Sequence, residues 1–197
     1  MVQKKVQNTS WVLKEGELFA VDEQSVEKPD GILWRVGAIK PGLQQINALN
    51  AIDLSGVPCL NSAQSLKIGY DRLSMLNALK KCGLPLIPFN VATKSTFIKN
   101  IGLDFPFVVK AGNFHGGYGK VLVKDARQWQ DIQDLLFISN DYITVEPFID
   151  YKYDLRYLAI GERVWAMSRK GKFWKANVAT KAFKQIPPQA TPVAQGK

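Results

Sequence analysis

The feature of this sequence that most constrains its fold is a glycine-rich segment between two strand-forming runs. Residues 105–110 and 120–124 are rich in valine and phenylalanine, and the nine residues between them contain four glycines. Such an arrangement predicts a β-hairpin with a long glycine loop. Glycine lets main-chain N–H groups approach a ligand without a Cβ in the way, and Lys110 and Lys120 stand at the two ends of the loop. Backbone donors between two ammonium groups suit a polyphosphate, although an ordinary long hairpin with a flexible tip fits the pattern equally well.

Two familiar phosphate-binding loops are excluded by the residues around these glycines. A Walker loop needs Ser or Thr after Gly-Lys, but Gly119-Lys120 is followed by Val121. A dinucleotide fingerprint opens a helix, whereas Gly117-Tyr-Gly119 leads into a run that favours a strand. Any phosphate bound here would therefore be held by a hairpin flap and not by the N-terminus of a helix.

Composition places the chain among globular proteins without a membrane span. With 197 residues, 46% hydrophobic and 22% charged, it can form one large domain or two small ones. No apolar run reaches the roughly 18 residues of a membrane span, and the polar start lacks a signal-peptide core. We expect Cys59 and Cys82 to be reduced and buried, in a cytoplasmic compartment. With His115 as the one histidine, the composition argues against a zinc site or a Ser-His-Asp triad.

The net charge of +9 is concentrated late in the chain. Residues 152–184 hold nine Lys and Arg against two acids. A basic stretch can serve a nucleic acid, an acidic membrane surface or a small anionic ligand. These charges alternate with apolar residues along predicted strands, which directs them to one face of a sheet. This placement favours the wall of a ligand cleft over a nucleic-acid-binding helix.

Periodicity and turn residues predict an alternation of strands and helices. A two-residue turn at Gly161-Glu162 predicts a hairpin between the last long strands, and the composition from Pro187 onward predicts a disordered tail. Predicted strands cover residues 11–13, 17–21, 31–36, 56–62, 142–149, 154–160, 163–169 and 173–177, and predicted helices cover 43–52, 65–81, 95–101 and 125–138.

Several segments, in order, resemble the ATP-grasp superfamily over about residues 30–180. They are Val57-Pro-Cys-Leu-Asn-Ser62, Pro106-Phe-Val-Val-Lys110, Gly116-Gly-Tyr-Gly-Lys-Val121, Glu146-Pro-Phe-Ile-Asp-Tyr-Lys-Tyr-Asp-Leu-Arg156 and Gly171-Lys-Phe-Trp-Lys-Ala-Asn177. The chain is most similar to the synapsin ATP-binding domain, with RimK-type glutamate ligases next. The resemblance implies an α/β fold, α+β in detail, that binds ATP.

The resemblance also implies roles for individual residues. Lys110 would reach the α and β phosphates, and the segment from Glu146 to Ile149 would present backbone groups to the adenine edge. Pro147 lacks an N–H, so those contacts must come from its neighbours. Arg72 stands where many ATP-grasp proteins carry a phosphate-contacting lysine, although an exposed helix arginine accounts for it equally well. The full nucleotide-binding set implied is Arg72, Lys110, Gly112, Gly116, Gly117, Gly119, Lys120, Glu146, Pro147, Phe148, Ile149, Asp154 and Lys175.

The basic strands supply the candidates for chemistry. The resemblance implies that Asp154 faces the ribose, and an ion pair with Arg156 or Lys152 is the alternative. Arg156, Arg169 and Asn177 are the implied catalytic residues, since the arginines, with Lys175, could reach a γ-phosphate or an acyl phosphate. Either arginine could equally be a solvated strand residue.

Family members that perform chemistry hold Mg²⁺ with acidic residues and an asparagine from a later segment, and residues 178–197 contain no acid. We therefore expect an incomplete ATP-grasp unit, either a fragment or a degenerate member. The predicted parts are a partial pre-ATP-grasp unit over 1–62, a small lobe over 63–150, the opening strands of a large lobe over 151–184 and the tail over 185–197. Magnesium is expected only with the missing lobe.

Three functions agree with these features of the sequence. The first is ATP binding, which in an intact relative would activate a carboxylate as an acyl phosphate for attack by an amine. The second is a non-catalytic, synapsin-like module that binds nucleotide and acts by association with a partner, a second copy of itself or a membrane surface. Nucleic-acid binding is the least favoured.

Overall fold

The computed structural model of the chain describes residues 1–37, 39–93, 101, 103–139, 142–151, 154–170, 174–175 and 182–186. It divides into two compact units, unit 1 (Met1–Leu86) and unit 2 (Ile87–Lys197). None of the described helices is long and apolar enough to cross a membrane. The finer division of the chain at residues 62 and 150 stays a prediction.

The described elements follow the predicted alternation of strands and helices. The strands are β1 (Ser10–Lys14), β2 (Glu17–Val21), β3 (Val26–Glu27), β4 (Ile32–Leu33), β5 (Cys59–Leu60), β6 (Asn90–Ala92), β7 (Phe107–Ala111), β8 (Lys120–Val123), β9 (Ile143–Pro147), β10 (Asp154–Ile160), β11 (Arg163–Lys170) and β12 (Ala182–Ile186). The helices are α1 (Leu43–Ser55), α2 (Ala63–Tyr70), α3 (Arg72–Lys81) and α4 (Ala126–Ser139).

Unit 1 packs a helix against small sheets. Strands β1, β2 and β3 form an antiparallel sheet, and β4 pairs with β5 in parallel. Its core places Leu49 and Ile52 of α1, which are almost fully buried, against Leu18 of β2 and the Trp34 ring. The indole N–H of Trp34 donates to the Tyr70 hydroxyl at 2.8 Å, so the one polar atom of this buried ring is satisfied.

The single helix predicted over residues 65–81 is wrong, because the segment forms two helices. Asp71 is extended (φ −101°, ψ 119°), ends α2 and accepts a hydrogen bond from the Ser74 N–H at 2.7 Å, which caps α3. Leucines recur at helical spacing on both sides of Asp71, so the apolar pattern continues through the break. A capping side chain in mid-helix competes with the helical backbone and explains the interruption.

The prediction that both cysteines are buried is also wrong. Cys82 follows the last residue of α3 and is exposed, and Cys59 in β5 is half-buried. Both are free thiols. Burial raises the pKa of the Cys59 thiol above its usual value.

Unit 2 begins with a four-stranded antiparallel sheet in the order β6-β9-β7-β8. One face packs against α4: Phe107 and Val109 of β7 and Ile143 and Val145 of β9 are buried with Ile132 of the helix. The Trp129 ring meets the Phe107 ring edge to face, with centroids 5.3 Å apart. Because side chains alternate along a strand, the residues between these point to the opposite face.

The second sheet of unit 2 has the order β10-β11-β12, all antiparallel. As predicted, β10 and β11 are joined by Gly161-Glu162, which sets Ile160 opposite Arg163 and Asp154 opposite Arg169. Strand β10 is largely exposed on both faces. Of the predicted strand over 173–177, only Trp174 and Lys175 are described, and neither lies in a strand. The predicted tail over 187–197 lies outside the described residues, as does nearly all of the predicted helix over 95–101.

The N-terminal cap of helix α4 can be tested by substitution. Asp125 accepts a hydrogen bond from the Gln128 N–H at 2.8 Å, as the sequence predicted. We expect Asp125→Ala to lower the free energy of unfolding by about 1 kcal/mol, because it leaves a helix N-terminal donor unpaired. The measurement is urea unfolding followed by circular dichroism. Asp131→Ala, at an exposed position within α4, is the charge-matched control and should change stability by less than about 0.5 kcal/mol; equal losses would contradict the capping role.

Candidate functional site

The glycine loop between β7 and β8 folds into a closed flap. The N–H of Ala111 donates to the Gly119 carbonyl at 2.8 Å, which closes the base of the loop. All four glycines of the loop have positive φ, with values of 43°, 65°, 87° and 61° for Gly112, Gly116, Gly117 and Gly119. Positive φ is a conformation that other L-residues rarely adopt. The backbone conformation of the loop therefore requires glycine at these positions, and flexibility alone does not explain the four glycines.

Inside the flap, the chain packs against the Phe114 ring. A Cβ at Gly119 would lie 2.7 Å from the Phe114 Cβ, closer than two carbons can approach. The N–H of Tyr118 donates to the His115 carbonyl at 3.2 Å and forms the turn at the tip. His115 is half-buried in this turn.

Two hydrogen bonds connect the flap to Tyr142, the residue before β9. The Gly112 N–H donates to the Tyr142 carbonyl at 2.7 Å, and the Tyr142 hydroxyl donates to Oδ1 of Asn113. Neither Asn113 nor Tyr142 was among the predicted site residues. No sequence pattern signals a contact between side chains so far apart in the chain, because it depends on how β9 pairs with β7.

Lys110 lies on the sheet face opposite α4. Its Cα partners are Lys120 on one side and Thr144 on the other, so these side chains share that face. Lys110 forms an ion pair with Glu146, a diagonal neighbour on β9, and both side chains are about five-sixths buried, with 17% and 16% exposure. The Thr144 hydroxyl is buried beside them with no hydrogen-bond partner. The predicted phosphate lysine is thus held at the base of the flap by a carboxylate, a partner that the sequence reasoning did not foresee.

The segment from Glu146 to Ile149, predicted to face the adenine edge and called the hinge from here on, begins at the end of β9 with the paired Glu146. Pro147 ends the strand, and the Phe148 N–H donates to the Pro106 carbonyl at 3.3 Å. Among the described residues, the N–H of Ile149 has no hydrogen-bond partner. Among the described residues, the next donor available after Glu146 is therefore the Ile149 N–H, and the contact of this segment with an adenine edge stays a prediction.

An aromatic contact packs Phe148 of the hinge against Trp174, which follows β11 in the chain. The Phe148 and Trp174 rings meet edge to face with centroids 6.4 Å apart, and the Tyr151 hydroxyl donates to the Trp174 carbonyl at 2.9 Å. The Lys175 ammonium lies 5.2 Å from the centre of the Trp174 ring, within the range of a cation–π contact. These contacts join the hinge to the chain that follows β11.

The basic face predicted for the last strands is only partly formed in β10 and β11, because the arginines share it with apolar side chains and Lys170 lies on the other face. The register places Asp154, Arg156, Arg163 and Arg169 on one face, because partners across an antiparallel pair point the same way. The Arg169 guanidinium makes two hydrogen bonds to the Asp154 carboxylate. Its Nε donates to Oδ1 at 2.9 Å, and its Nη2 donates to Oδ2. The alternative partners expected for Asp154 were Arg156 and Lys152. The structure pairs it with Arg169, and Lys152 lies outside the described residues.

Arg72 is the first residue of α3 in unit 1 and is only 8% exposed, so its interpretation as an exposed helix arginine is wrong. A cation in the first turn of a helix opposes the helix dipole, and burying it adds a desolvation cost. Its position is therefore not explained by helix stability. Asn177 lies outside the described residues. Within the described part of the chain, no group of three acidic, histidine or cysteine side chains could hold a metal ion.

The close packing inside the flap can be tested with paired glycine substitutions. Gly116 and Gly119 both have positive φ, but a Cβ at Gly116 would find its nearest neighbour, a Tyr118 ring carbon, at 3.7 Å. We expect Gly116→Ala to cost about 1–2 kcal/mol for the left-handed backbone. Gly119→Ala should cost roughly 1–3 kcal/mol more, because its methyl group overlaps the Phe114 side chain. Thermal unfolding measures both, and equal costs would mean that the Phe114 contact does not shape the flap.

The chain was compared with known families and proteins. Residues 73–190 match the family described as Synapsin, ATP binding domain. Synapsin of Drosophila melanogaster is 29% identical over 177 residues, which cover 81% of this chain and 17% of that protein. The chain therefore spans well under two thirds of this relative.

Solved structures share the fold at low identity. D-alanyl-alanine synthetase A from Vibrio cholerae superposes with a TM-score of 0.60 at 12% identity, over 91% of this chain and 59% of that one. A RimK domain ATP-grasp protein from Sphaerobacter thermophilus gives a TM-score of 0.56 at 19% identity, over 73% of this chain and 55% of that one. These findings confirm the predicted resemblance and the mixed α/β, ATP-grasp fold.

Proposed function

We propose that this chain, which belongs to the synapsin ATP-binding domain family, binds ATP through the flap, the hinge and the basic strand face of unit 2. The observation that carries the proposal is the flap, whose four glycines all adopt positive φ, with the largely buried Lys110 at the base of the loop. Main-chain N–H groups in turns with positive φ can form a concavity that suits anionic oxygens. A hairpin with a merely flexible tip would not need glycine conformations at every one of these positions.

Lys110 is proposed to bind the α and β phosphates. Its ammonium lies on the face opposite the core and is already held in place by Glu146. A phosphate oxygen can join or replace the carboxylate as a partner for the three ammonium hydrogens. Lys120 faces the same side at the other end of the flap and adds a second positive charge.

The adenine edge is proposed to meet the hinge. Adenine needs a donor for N1 and an acceptor for its amino group. The Ile149 N–H supplies such a donor, since the Phe148 N–H already serves the Pro106 carbonyl. The packing of Phe148 against Trp174 would hold this part of the backbone in place for the base.

Arg156, Arg169 and Lys175 are proposed to meet the terminal phosphate. The carboxylates of Glu146 and Asp154, which lie among the proposed nucleotide contacts, are ion-paired to Lys110 and Arg169. Since the described residues hold no group of three acidic, histidine or cysteine side chains that could bind a metal ion, lysine and arginine are proposed to compensate the phosphate charge.

A second candidate function is carboxylate–amine ligation through an acyl phosphate, with Arg156 and Arg169 as catalytic residues and a small carboxylate and an amine as substrates. The arginines that share one face of β10 and β11 favour it, because they could stabilise charge that develops on a transferred phosphoryl group. ADP formation over a panel of amino acids and acidic peptides tests this candidate. No ADP at any substrate concentration would leave nucleotide binding as the function of this chain.

ATP binding is tested directly by calorimetry with and without Mg²⁺. We expect ATP to bind in the micromolar-to-millimolar range in EDTA, because lysine and arginine side chains supply the charge compensation. Adenosine should bind more weakly than ATP, since it lacks the groups that the flap and Lys110 would contact. No binding of ATP in either buffer would refute the proposed function.

A substitution at Lys110 separates binding from stability. Lys110→Met should weaken ATP binding roughly ten-fold or more, the factor expected for one charge-assisted hydrogen bond. It should also lower stability, because it leaves the Glu146 carboxylate partly buried without its cation. Thermal unfolding and calorimetry measure the two effects.

Two further variants decide between the roles of Lys110. Lys110→Met/Glu146→Gln should recover the stability but not the affinity. Lys124→Met, just beyond β8 at an exposed position, is the charge-matched control and should change neither. Recovery of both properties in the double variant would show that Lys110 has only a structural role.

A further inference from the structure

A cavity of about 660 Å³ lies within unit 1, and none of its lining residues belongs to the proposed nucleotide site. One wall is helix α1, which contributes Gln44, Asn47 and Ala48; these positions are three and four residues apart and share one face of the helix. The opposite wall is formed by residues 7–11, which lead into β1. Small-molecule sites have volumes of roughly 300–1,000 Å³, so the cavity is large enough to hold such a ligand.

Hydrogen bonds connect the two walls of the cavity. Nε2 of Gln44 donates to the Val6 carbonyl at 3.0 Å and to the Gln7 carbonyl at 3.3 Å. Thr9 is only 5% exposed, and its hydroxyl donates to the Lys5 carbonyl at 2.8 Å, within the turn that precedes β1. These contacts fix the backbone on both sides, so the shape of the cavity does not depend on exposed side chains alone.

The indole of Trp11, which lines the cavity, contains an unpaired buried donor. The ring packs against the core of unit 1, and its Nε1 is buried with no hydrogen-bond partner among the described residues. Trp34 lies in the same core, with its ring centroid 6.5 Å from that of Trp11, but its N–H donates to the Tyr70 hydroxyl. A buried donor without an acceptor destabilises the folded chain. The unpaired indole of Trp11 is accounted for if a ligand in the cavity supplies the acceptor.

The lining of the cavity is polar and uncharged. In the described part of the chain it contains four amide and two hydroxyl side chains and no charged residue; the six are Gln7, Asn8, Thr9, Ser10, Gln44 and Asn47. Each amide offers both donors and acceptors, and those of Gln7, Asn8 and Asn47 have no partner within the described residues. An anion would find no cation in this lining, and a cation would find no carboxylate. Several hydroxyl groups on a neutral ligand would match the amides, because a hydroxyl also donates and accepts.

We propose that this cavity binds a small neutral sugar of one or two rings, in which one oxygen accepts a hydrogen bond from the Trp11 indole. The amides of Asn8 and Asn47, on opposite walls, bind the other hydroxyl groups. The indole N–H is covered in the structure, so the sugar reaches it by displacing exposed side chains of the lining. An extended peptide is a poorer match, since its polar groups lie along two edges of its backbone. This site is independent of the proposed ATP binding.

The experiment titrates the full chain, labelled with nitrogen-15 tryptophan, with glucose, galactose, N-acetylglucosamine and maltose. The indole N–H signals are followed by NMR, and the variants Trp11→Phe and Trp34→Phe assign the two signals of interest. We expect at least one sugar to shift the Trp11 signal saturably, with a dissociation constant in the millimolar range or below. The Trp34 signal should move little, because its N–H already has an acceptor. Inorganic phosphate and a blocked alanine tetrapeptide should leave the Trp11 signal unchanged.

Paired variants separate sugar binding from stability. Trp11→Phe keeps an aromatic ring but removes the N–H, and it should weaken binding of that sugar roughly ten-fold. Without sugar, its thermal unfolding temperature should stay the same or rise, because the lost donor had no acceptor. Trp34→Phe should lower the unfolding temperature and keep the affinity. Asn47→Ala should weaken binding, whereas Asn77→Ala, an exposed asparagine of α3 outside the lining, should not.

Three results would overturn the inference. The first is the absence of a saturable shift with all four sugars. The second is a shift caused only by phosphate or by the peptide, since the cavity would then recognise a different chemistry. The third is a Trp11→Phe variant that keeps its sugar affinity, because the indole N–H would then not contact the ligand. Circular dichroism confirms that each variant is folded, and ATP affinity is expected to be unchanged in all of them.

Discussion

Strand β7 pairs with β8 on one side and β9 on the other, and these two ladders position most of the candidate site. The β8 ladder closes the base of the glycine flap and sets Lys120 opposite Lys110. The β9 ladder brings Glu146 diagonally next to Lys110 and places the hinge at the end of the strand. Because register fixes which face each side chain occupies, a slip of one residue would turn Lys110 into the core beneath α4. The buried residues Phe107, Val109 and Val145 hold the register in place.

A second constraint is electrostatic. Unit 2 brings several positive charges close together on its two sheets, and like charges in proximity oppose folding. Two of the predicted phosphate-binding cations, Lys110 and Arg169, are matched by carboxylates that lie next to them in the sheet. The carboxylates reduce the repulsion and also restrict where the cations can point. An anionic ligand therefore meets a surface that is already organised, with less freedom lost on binding.

How much of this could be predicted from the sequence depends on the range of the interactions. The flap was predicted because its glycines and flanking lysines are contiguous and local chemistry decides the conformation. The Asp154–Arg169 pair also had a sequence signal: a two-residue turn at Gly161-Glu162 fixes the register, and counting outwards sets residue 154 opposite 169. The register therefore favours Arg169 over Arg156 or Lys152 as the partner of Asp154.

Other features had no local signal. The Lys110–Glu146 and Asn113–Tyr142 contacts join β7 and the flap to β9, whose register follows from long-range packing. The break at Asp71 was hidden because the leucine periodicity continues across it, although aspartate is one of the residues that favour a helix N-cap. Burial of Arg72 and exposure of Cys82 depend on tertiary contacts that composition does not report.

The exposure of β10 has a consequence for how this protein behaves in solution. In the described part of the chain β10 is an edge strand, and it exposes Leu158 and Ile160 on one face and Leu155 and Tyr157 on the other. Unprotected apolar edges recruit strands from other molecules. Arg156 interrupts this edge with a positive charge, and charges along an edge strand oppose pairing with other molecules. Neutralising Arg156 to study ligand contacts would therefore also lower solubility, and aggregation would then mimic a loss of binding.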